Sequence, residues 1–484
     1  MEHADFDRLF EPRSIAVIGV SDNTTKGAAG FLNSLIKLGF PGEIYPVHPK
    51  QEEIQGVKTY RSVSDIPDPV DHAIIGVPAA AVPAVIEDCV NKGVPSAQIF
   101  TAGFAEEATP EGIDLQRTVV EKAKGKIRVI GPNCMGIYHP RARVGFWPEQ
   151  PVEHGDVSFI LQSGWLADNL VDVGASQSIA VNKLVSIGNA CDLNANDFLK
   201  YFSKDPSTGV VGVYLEGLRE GESREFFNLA KAMTMEKPLV LWKSGFTEAG
   251  ARAAKSHTGS MVGSYDMWRS ISSQAGIMLV QNTEEMIDVI SLYKRAPLPQ
   301  GKNVGIVACG GGTSVTATDA CTVQGLTLPV LSDDIQEKIN EYIPDAGTFT
   351  CNPVDVTGWV TSPRISRGAS SLVINAPNID ALIFILDTHF IFKLCGRLNL
   401  DTERIIKGHA KHLLKIKEET EKPLVCVLLK SGDAEHLEKD RLKLKEALNE
   451  QGLANFLSTD RAAKALSRLI EYSAYLRNAG VGTS

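Results

Sequence analysis

Short runs of β-branched and aliphatic residues, each closed by Gly, Pro, Ser or Asn, alternate with helical-period segments along almost the whole chain. This rhythm admits few folds. Strands separated by helices lie parallel, and the helices cover both faces of the sheet. The runs "SIAVIGV", "GEIYPVHP", "HAIIGVP", "AQIFTAG" and "IRVIGPN" read as a first set of strands. A second set is "DVSFILQSG", "AVNKLVSIGN", "VVGVYLEG", "PLVLWKSG" and "IMLVQNTEE"; a third is "VGIVACGGG", "LTLPVL", "ALIFILDT" and "PLVCVLL", before a helical tail, "STDRAAKALSRLIEYSAYLRN". Two stretches interrupt the rhythm. "HPRARVGFWPEQPVEHG" is Pro-rich and aperiodic, and "KRAPLPQGKN" precedes the third set, so both read as linkers. The expectation is α/β throughout, with three parallel-sheet domains near 1–140, 150–295 and 302–478. A length of 484 residues agrees with three domains at about 150 residues each.

Composition excludes several functions. A net charge of −9 leaves no basic face for nucleic acid. Eight cysteines without a CxxC pair disfavour a zinc site and a disulfide framework, and fit a reducing compartment. The first residues, "MEHADFDRLFEPRSIAVIGV", are too acidic for a signal peptide, and no apolar run reaches the ~20 residues that span a bilayer. A cytoplasmic protein without nucleic-acid or membrane partners is expected.

Chemistry concentrates at strand ends. "SIAVIGVSDNTTKGAAG" is a strand, a turn and a helix, whose amides suit an anion such as a pyrophosphate. Gly19 is followed by Val20 and Ser21 rather than by the spacing of a dinucleotide fingerprint, so NAD is poorly supported and a plain βα turn remains open. Lys50 follows the second strand; Gly76–Pro78 and Thr101–Phe104 close the next two. In the second set, Ser163–Gly164 joins a strand to a helix and Glu216 ends another strand. His257 precedes Thr258, Gly259 and Ser260 at a predicted helix start. Small neighbours leave that imidazole reachable, helix amides suit a doubly charged group, and a carboxylate such as Glu216 can hold the ring's second nitrogen. Taken singly, His257 reads as a cap or surface residue and Glu216 as a strand end; their company points to phosphohistidine chemistry.

These motifs resemble the ADP-forming (NDP-forming) acyl-CoA synthetases, relatives of succinyl-CoA synthetase. "SIAVIGVSDN", "GEIYPVHPK", "GFAEE", "IRVIGPNCMG", "LVSIGNACD", "YLEG", "KSGFTEAGARAAKSHTG" and "NPVDVTG" occur in the family's order. The resemblance implies a Rossmann-like CoA-binding domain followed by two flavodoxin-like ligase domains. It implies that His257 carries a phosphoryl group, that Glu216 supports the ring, and that Asn133 lies where acyl phosphate and thiol meet. Ser163 and Gly164 become a phosphate-binding helix start, with Thr258 and Gly259 beside the histidine. Gly19, Val20, Ser21, Asn23, Lys50, Val77 and Pro78 become the coenzyme A contacts; no metal ligand is expected on this chain. The implied reaction interconverts acid, CoA and ATP with acyl-CoA, ADP and phosphate. The three sets leave no room for an ATP-grasp module, which implies an α subunit with a separate ATP-grasp β subunit holding Mg-ATP, as an α2β2 heterotetramer. Gly310–Gly312 has the form of a phosphate loop, although the family uses this third domain mainly for structure and subunit contacts. Where the family shows "SQSGALG", this chain has "LQSGWLADN"; Trp165 either reshapes the acyl pocket or belongs to the core. A CoA-sensing protein that no longer catalyses, and a Rossmann oxidoreductase, are the alternatives.

Overall fold

The computed structural model describes residues 3–24, 27–250, 265–343, 349–430, 432 and 434–481. They form two compact units, 1–286 and 287–484. In the first unit, β1 (Ser14–Ile18), β2 (Glu43–Val47), β5 (His72–Ile75), β6 (Ser96–Ile99) and β7 (Arg128–Ile130) build a parallel sheet ordered β2-β1-β5-β6-β7; β3 (Glu53–Ile54) and β4 (Val57–Lys58) form a small hairpin. All five residues of β1 are buried, as a strand covered on both faces requires.

A second sheet in the same unit contains β9 (Val157–Leu161), β10 (Val181–Ser186), β11 (Val210–Leu215), β12 (Leu239–Lys243) and β13 (Met278–Val280). Its order is β13-β12-β11-β9-β10-β8, where β8 (Gly136–Tyr138) is antiparallel to β10. The chain therefore leaves the first sheet at β7 and contributes its next strand to the edge of the second. The intervening aperiodic segment is irregular but packed: His139, Val144 and Phe146 are buried. The N-terminal helix His3–Phe10 buries Phe6 and Phe10 against Phe198, Tyr201 and Phe202, with ring centroids 5.0–6.2 Å apart.

In the second unit, β14 (Val304–Ala308), β15 (Val354–Asp355), β16 (Ala381–Asp387), β17 (Leu424–Leu429) and β18 (Ala454–Phe456) are ordered β15-β14-β16-β17-β18. "LTLPVL" is corrected here: it forms no strand, only a single bridge from Thr327 to Asn303. Pro329 lacks a ladder donor, and the stretch is held by scattered bonds instead: the Val304 amide donates to the Thr327 carbonyl at 2.7 Å, the Leu331 amide to the Cys351 carbonyl at 2.9 Å, and the Asn352 side-chain amide to the Pro329 carbonyl at 2.9 Å. The tail is the helix Thr459–Asn478, N-capped by Ser458 as its sequence suggests.

Counted by their own parallel strands, all three sheets have the order 2-1-3-4-5. This doubly wound order opens a crevice at the carboxyl ends of strands 1 and 3, where the winding reverses. The three crevices lie at β1/β5, β9/β11 and β14/β16.

Candidate active site

At the β1/β5 crevice the backbone is crowded. Gly19 has φ +88°, and a Cβ there would lie 2.6 Å from the Gly76 carbonyl oxygen; a Cβ on Gly76 would lie 2.5 Å from the Ala28 nitrogen. Only glycine fits both places. The interlock brings the turn and the start of helix Ala29–Leu38 together, and no side chain caps that helix. Its first amides are directed at whatever occupies the crevice. Ser21 Oγ donates to the Asn23 carbonyl at 3.2 Å, shaping the turn. Lys50 is exposed beyond β2, with its amide donating to His48 Nδ1 at 3.2 Å. Val77 is half-buried and Pro78 exposed. Thr101 joins two of these loops: its hydroxyl donates to the Val77 carbonyl at 2.6 Å, and its carbonyl accepts from the Asn133 amide at 3.0 Å.

Asn133, in a left-handed conformation (φ +56°), belongs to a loop clasped by the second sheet. The Asn189 amide donates to the Pro132 carbonyl at 3.0 Å, the Cys191 amide to Gly131 at 2.9 Å, and the Met135 amide to Ser186 Oγ at 3.2 Å. Gly188 leaves no space for a side chain, since its Cβ would lie 2.4 Å from the Asn133 oxygen.

The β9/β11 crevice holds the charged group. Gln162 Oε1 accepts from the amides of Glu216 (2.5 Å) and Gly217 (3.2 Å), while its Nε2 donates to the Gly217 carbonyl at 3.0 Å. This clamp ties the Glu216 loop to Gln162, the residue before Ser163 and Gly164 in the chain, and Glu216 is 6% exposed. Ser163 caps helix Gly164–Ser176, accepting from the Leu166 amide at 3.4 Å. Tyr214 Oη donates to Glu216 Oε1 at 3.2 Å; burial, aided by that carboxylate, pushes the phenol's pKa up. Lys243 is 2% exposed and donates to the carbonyls of Glu216 (2.8 Å) and Ser244. Burial brings its pKa down to about 8, against an opposing pull from Glu216. A cleft of about 430 Å³ lies beside this clamp, lined by Glu106, Gln116, Gln162, Asn189 and Arg219 among others. Asn189 Nδ2 spans it, donating to Glu106 (2.5 Å) and Gln116 (2.9 Å).

His257, Thr258 and Gly259 lie outside the described residues. The structure brings Ser163, Gly164 and Glu216 together and sets Asn133 at the seam between the sheets; Gly19, Val77 and Pro78 gather at the first crevice. Trp165 does not belong to the core: it is 81% exposed, so that alternative is overturned. Sequence reasoning missed Gln162 and Lys243. Both lie within quoted motifs, "LQSG" and "WKSG", but the Glu216 loop that each holds is 54 and 27 residues away in the chain. In the second unit, the Gly310 amide donates to Asp355 Oδ1 at 2.8 Å, and no side chain caps helix Gly311–Val323.

The chain matches the CoA binding domain over residues 13–140, the succinyl-CoA ligase like flavodoxin domain over 154–293, and the ligase-CoA domain over 304–439. These features define the class: a CoA-binding module with two ligase modules. The chain belongs to the ADP-forming acyl-CoA synthetases, which are acid–thiol ligases. It is 33% identical to the α subunit of ADP-forming acetate–CoA ligase II from Pyrococcus furiosus, covering 99% of each chain. It is 38% identical to the ADP-forming acetate–CoA ligase of Methanocaldococcus jannaschii over 72% of this chain, and spans only 49% of that protein's length. Its fold matches the dinucleotide-forming acetyl-coenzyme A synthetase 1 of Ca. Korarchaeum cryptofilum, solved with phosphate and ADP, at a TM-score of 0.82 and 31% identity over 98% of both chains.

Proposed function

We propose that this chain is the CoA-binding, histidine-bearing α subunit of an ADP-forming acyl-CoA synthetase that works with a separate ATP-grasp β subunit in an α2β2 assembly. The Glu216 clamp carries the reading, since a buried acidic side chain held near the Ser163-capped helix start suits a group that must orient an imidazole and tolerate a phosphoryl group. Relatives named as α subunits support the division between chains. Eight free cysteines support a reducing, cytoplasmic setting.

In this reading, His257 takes the phosphoryl group from ATP on one ring nitrogen, and Glu216 holds the proton on the other. The acid's carboxylate attacks the phosphorus; the bond to His257 breaks and an acyl phosphate forms. The thiol of coenzyme A attacks the acyl carbon, phosphate leaves, and the thiol proton is lost to solvent or to phosphate. Gly19, Val20, Ser21, Asn23, Lys50, Val77 and Pro78 would hold coenzyme A, whose pyrophosphate suits the uncapped helix start at Ala29. Asn133 would sit where the thiol meets the acyl group, with Ser163 and Gly164 against phosphate beside Thr258 and Gly259. The β subunit would hold Mg-ATP or ADP. The acid is a small carboxylic acid; relatives named for acetate, 4-hydroxybutyrate and ferulate mark the breadth of acids to test.

The test reconstitutes the chain with an ATP-grasp partner and follows ADP release and acyl-CoA formation. An acid-labile, base-stable phosphate should appear, and His257→Ala should remove it and lower turnover by at least about a thousandfold. Glu216→Gln should lower turnover about a hundredfold. Normal turnover by the His257 variant would refute the reading.

A further inference from the structure

We propose that Gln162 is a positioning residue for phosphoryl transfer, its carboxamide holding the Glu216 loop and the helix start at Gly164 in one fixed relation. This rests on the ligase reading above. Two side chains take all four main-chain polar atoms of Glu216 and Gly217. Gln162 accepts from both amides and donates to the Gly217 carbonyl, and Lys243 donates to the Glu216 carbonyl at 2.8 Å. The Tyr214 hydroxyl holds the far end of the residue, donating to Oε1 of the carboxylate. Gln162 directly precedes Ser163, the cap of helix Gly164–Ser176. One side chain therefore joins the end of β11, which carries the carboxylate, to the end of β9, where that helix begins.

The chemistry of the clamp calls for a carboxamide. One side chain must accept from two amides and donate to a carbonyl; a carboxylate lacks the donor and an ammonium the acceptor. Stability alone does not ask for such a group here. Gln162 is half-buried and, with Gly217, lines the cleft of about 430 Å³, where water can satisfy main-chain atoms. On the β9 side the chain has already turned into its helix, so a side chain does what strand pairing does elsewhere in the sheet. Water in that place would leave the loop free to shift. A carboxylate that orients an imidazole must instead keep its distance from the helix start that receives the phosphoryl group, because transfer depends on alignment.

The test follows transfer of the γ-phosphoryl group of ATP to the full-length chain, in complex with an ATP-grasp partner, for wild type, Gln162→Met, Glu216→Gln and the double variant. Gln162→Met should slow transfer by at least about tenfold, and by no more than Glu216→Gln does, with the KM for ATP and the calorimetric affinity for coenzyme A within about twofold of wild type. In the Glu216→Gln background the same substitution should cost less than about twofold, because a residue that acts through Glu216 has nothing left to position. Gln162→Asn keeps the carboxamide but falls one methylene short; it should behave in the same way, and it takes the place of the Met variant if that one does not fold. Equal losses in both backgrounds make Gln162 a structural residue and overturn the proposal, leaving the ligase reading standing. Transfer by Gln162→Met at the wild-type rate overturns it too. A wild-type chain that takes up no phosphoryl group overturns the ligase reading and the proposal with it.

Discussion

Lys243 illustrates what a single residue does to this site. Its ammonium is enclosed by two backbone carbonyls and the Trp268 ring, 5.8 Å away, so it braces the Glu216 loop at the expense of its own hydration. Its folded pKa of about 8 lies below the ordinary 10.5. The unfolded chain therefore binds more protons between these values, and this residue's contribution to stability rises with pH across that window. Chemical denaturation from pH 8 to 10.5 should show up to about 3 kcal/mol of rising stability that Lys243→Met lacks. A slope identical in both proteins would show that Lys243 titrates normally. Ser163 and Glu216 were legible in the sequence because a polar residue closing an apolar run in a parallel sheet faces the carboxyl edge. Gln162 and Lys243 were not. Their partners are 54 and 27 residues away, and no local pattern encodes a hydrogen bond to a distant backbone.

Elements followed the same logic. Strands were legible wherever burial on both faces forces a continuous apolar run, as in β1 and β11. β8, β15 and β18 have three, two and three residues, too few to establish a period, and "LTLPVL" had the composition of a strand without a place in the sheet. β10 departs from that pattern, for it buries Asn182 and Lys183. Lys183 Nζ lies 2.8 Å from Asp205 Oδ2, with each side chain 6% exposed. Burial alone would push the Asp205 carboxyl up, but hydrogen bonds from Lys183, Thr208 and Ser207 hold it well below the usual carboxylate range. Removing one partner strands a buried charge, so Lys183→Met should cost about 3–5 kcal/mol by urea unfolding. Replacing both partners with apolar residues should recover most of that loss. If the double variant is no better than the single one, the pair itself is not what holds β10 to the helix Ala195–Lys204.

At the scale of the whole molecule, acid tolerance depends on histidines that folding keeps neutral. His72 and His139 in the first unit and His409 in the second are buried, and desolvation brings each pKa down to about 4. The unfolded chain binds these protons from about pH 6.5 downward, so stability is intact above that pH and declines as pH falls toward 4. Each histidine contributes up to about 3 kcal/mol to this decline. Thermal melts between pH 7 and 4.5 should show a shallower acid limb for His72→Gln and for His409→Gln; limbs as steep as wild type would exclude these residues as the cause. Three sheets wound in one order were legible in outline, because alternating strands and helices leave little else to build. The crossing of β8 into the second sheet was not, because its three residues follow a loop and carry no period. That crossing restricts how such proteins can be recombined. A graft that exchanges the front lobe with a relative's and joins the sequences before residue 136 keeps the recipient's own edge strand. One joined after residue 138 imports a foreign strand onto β10, and the hybrid must then fit a borrowed border to its native sheet.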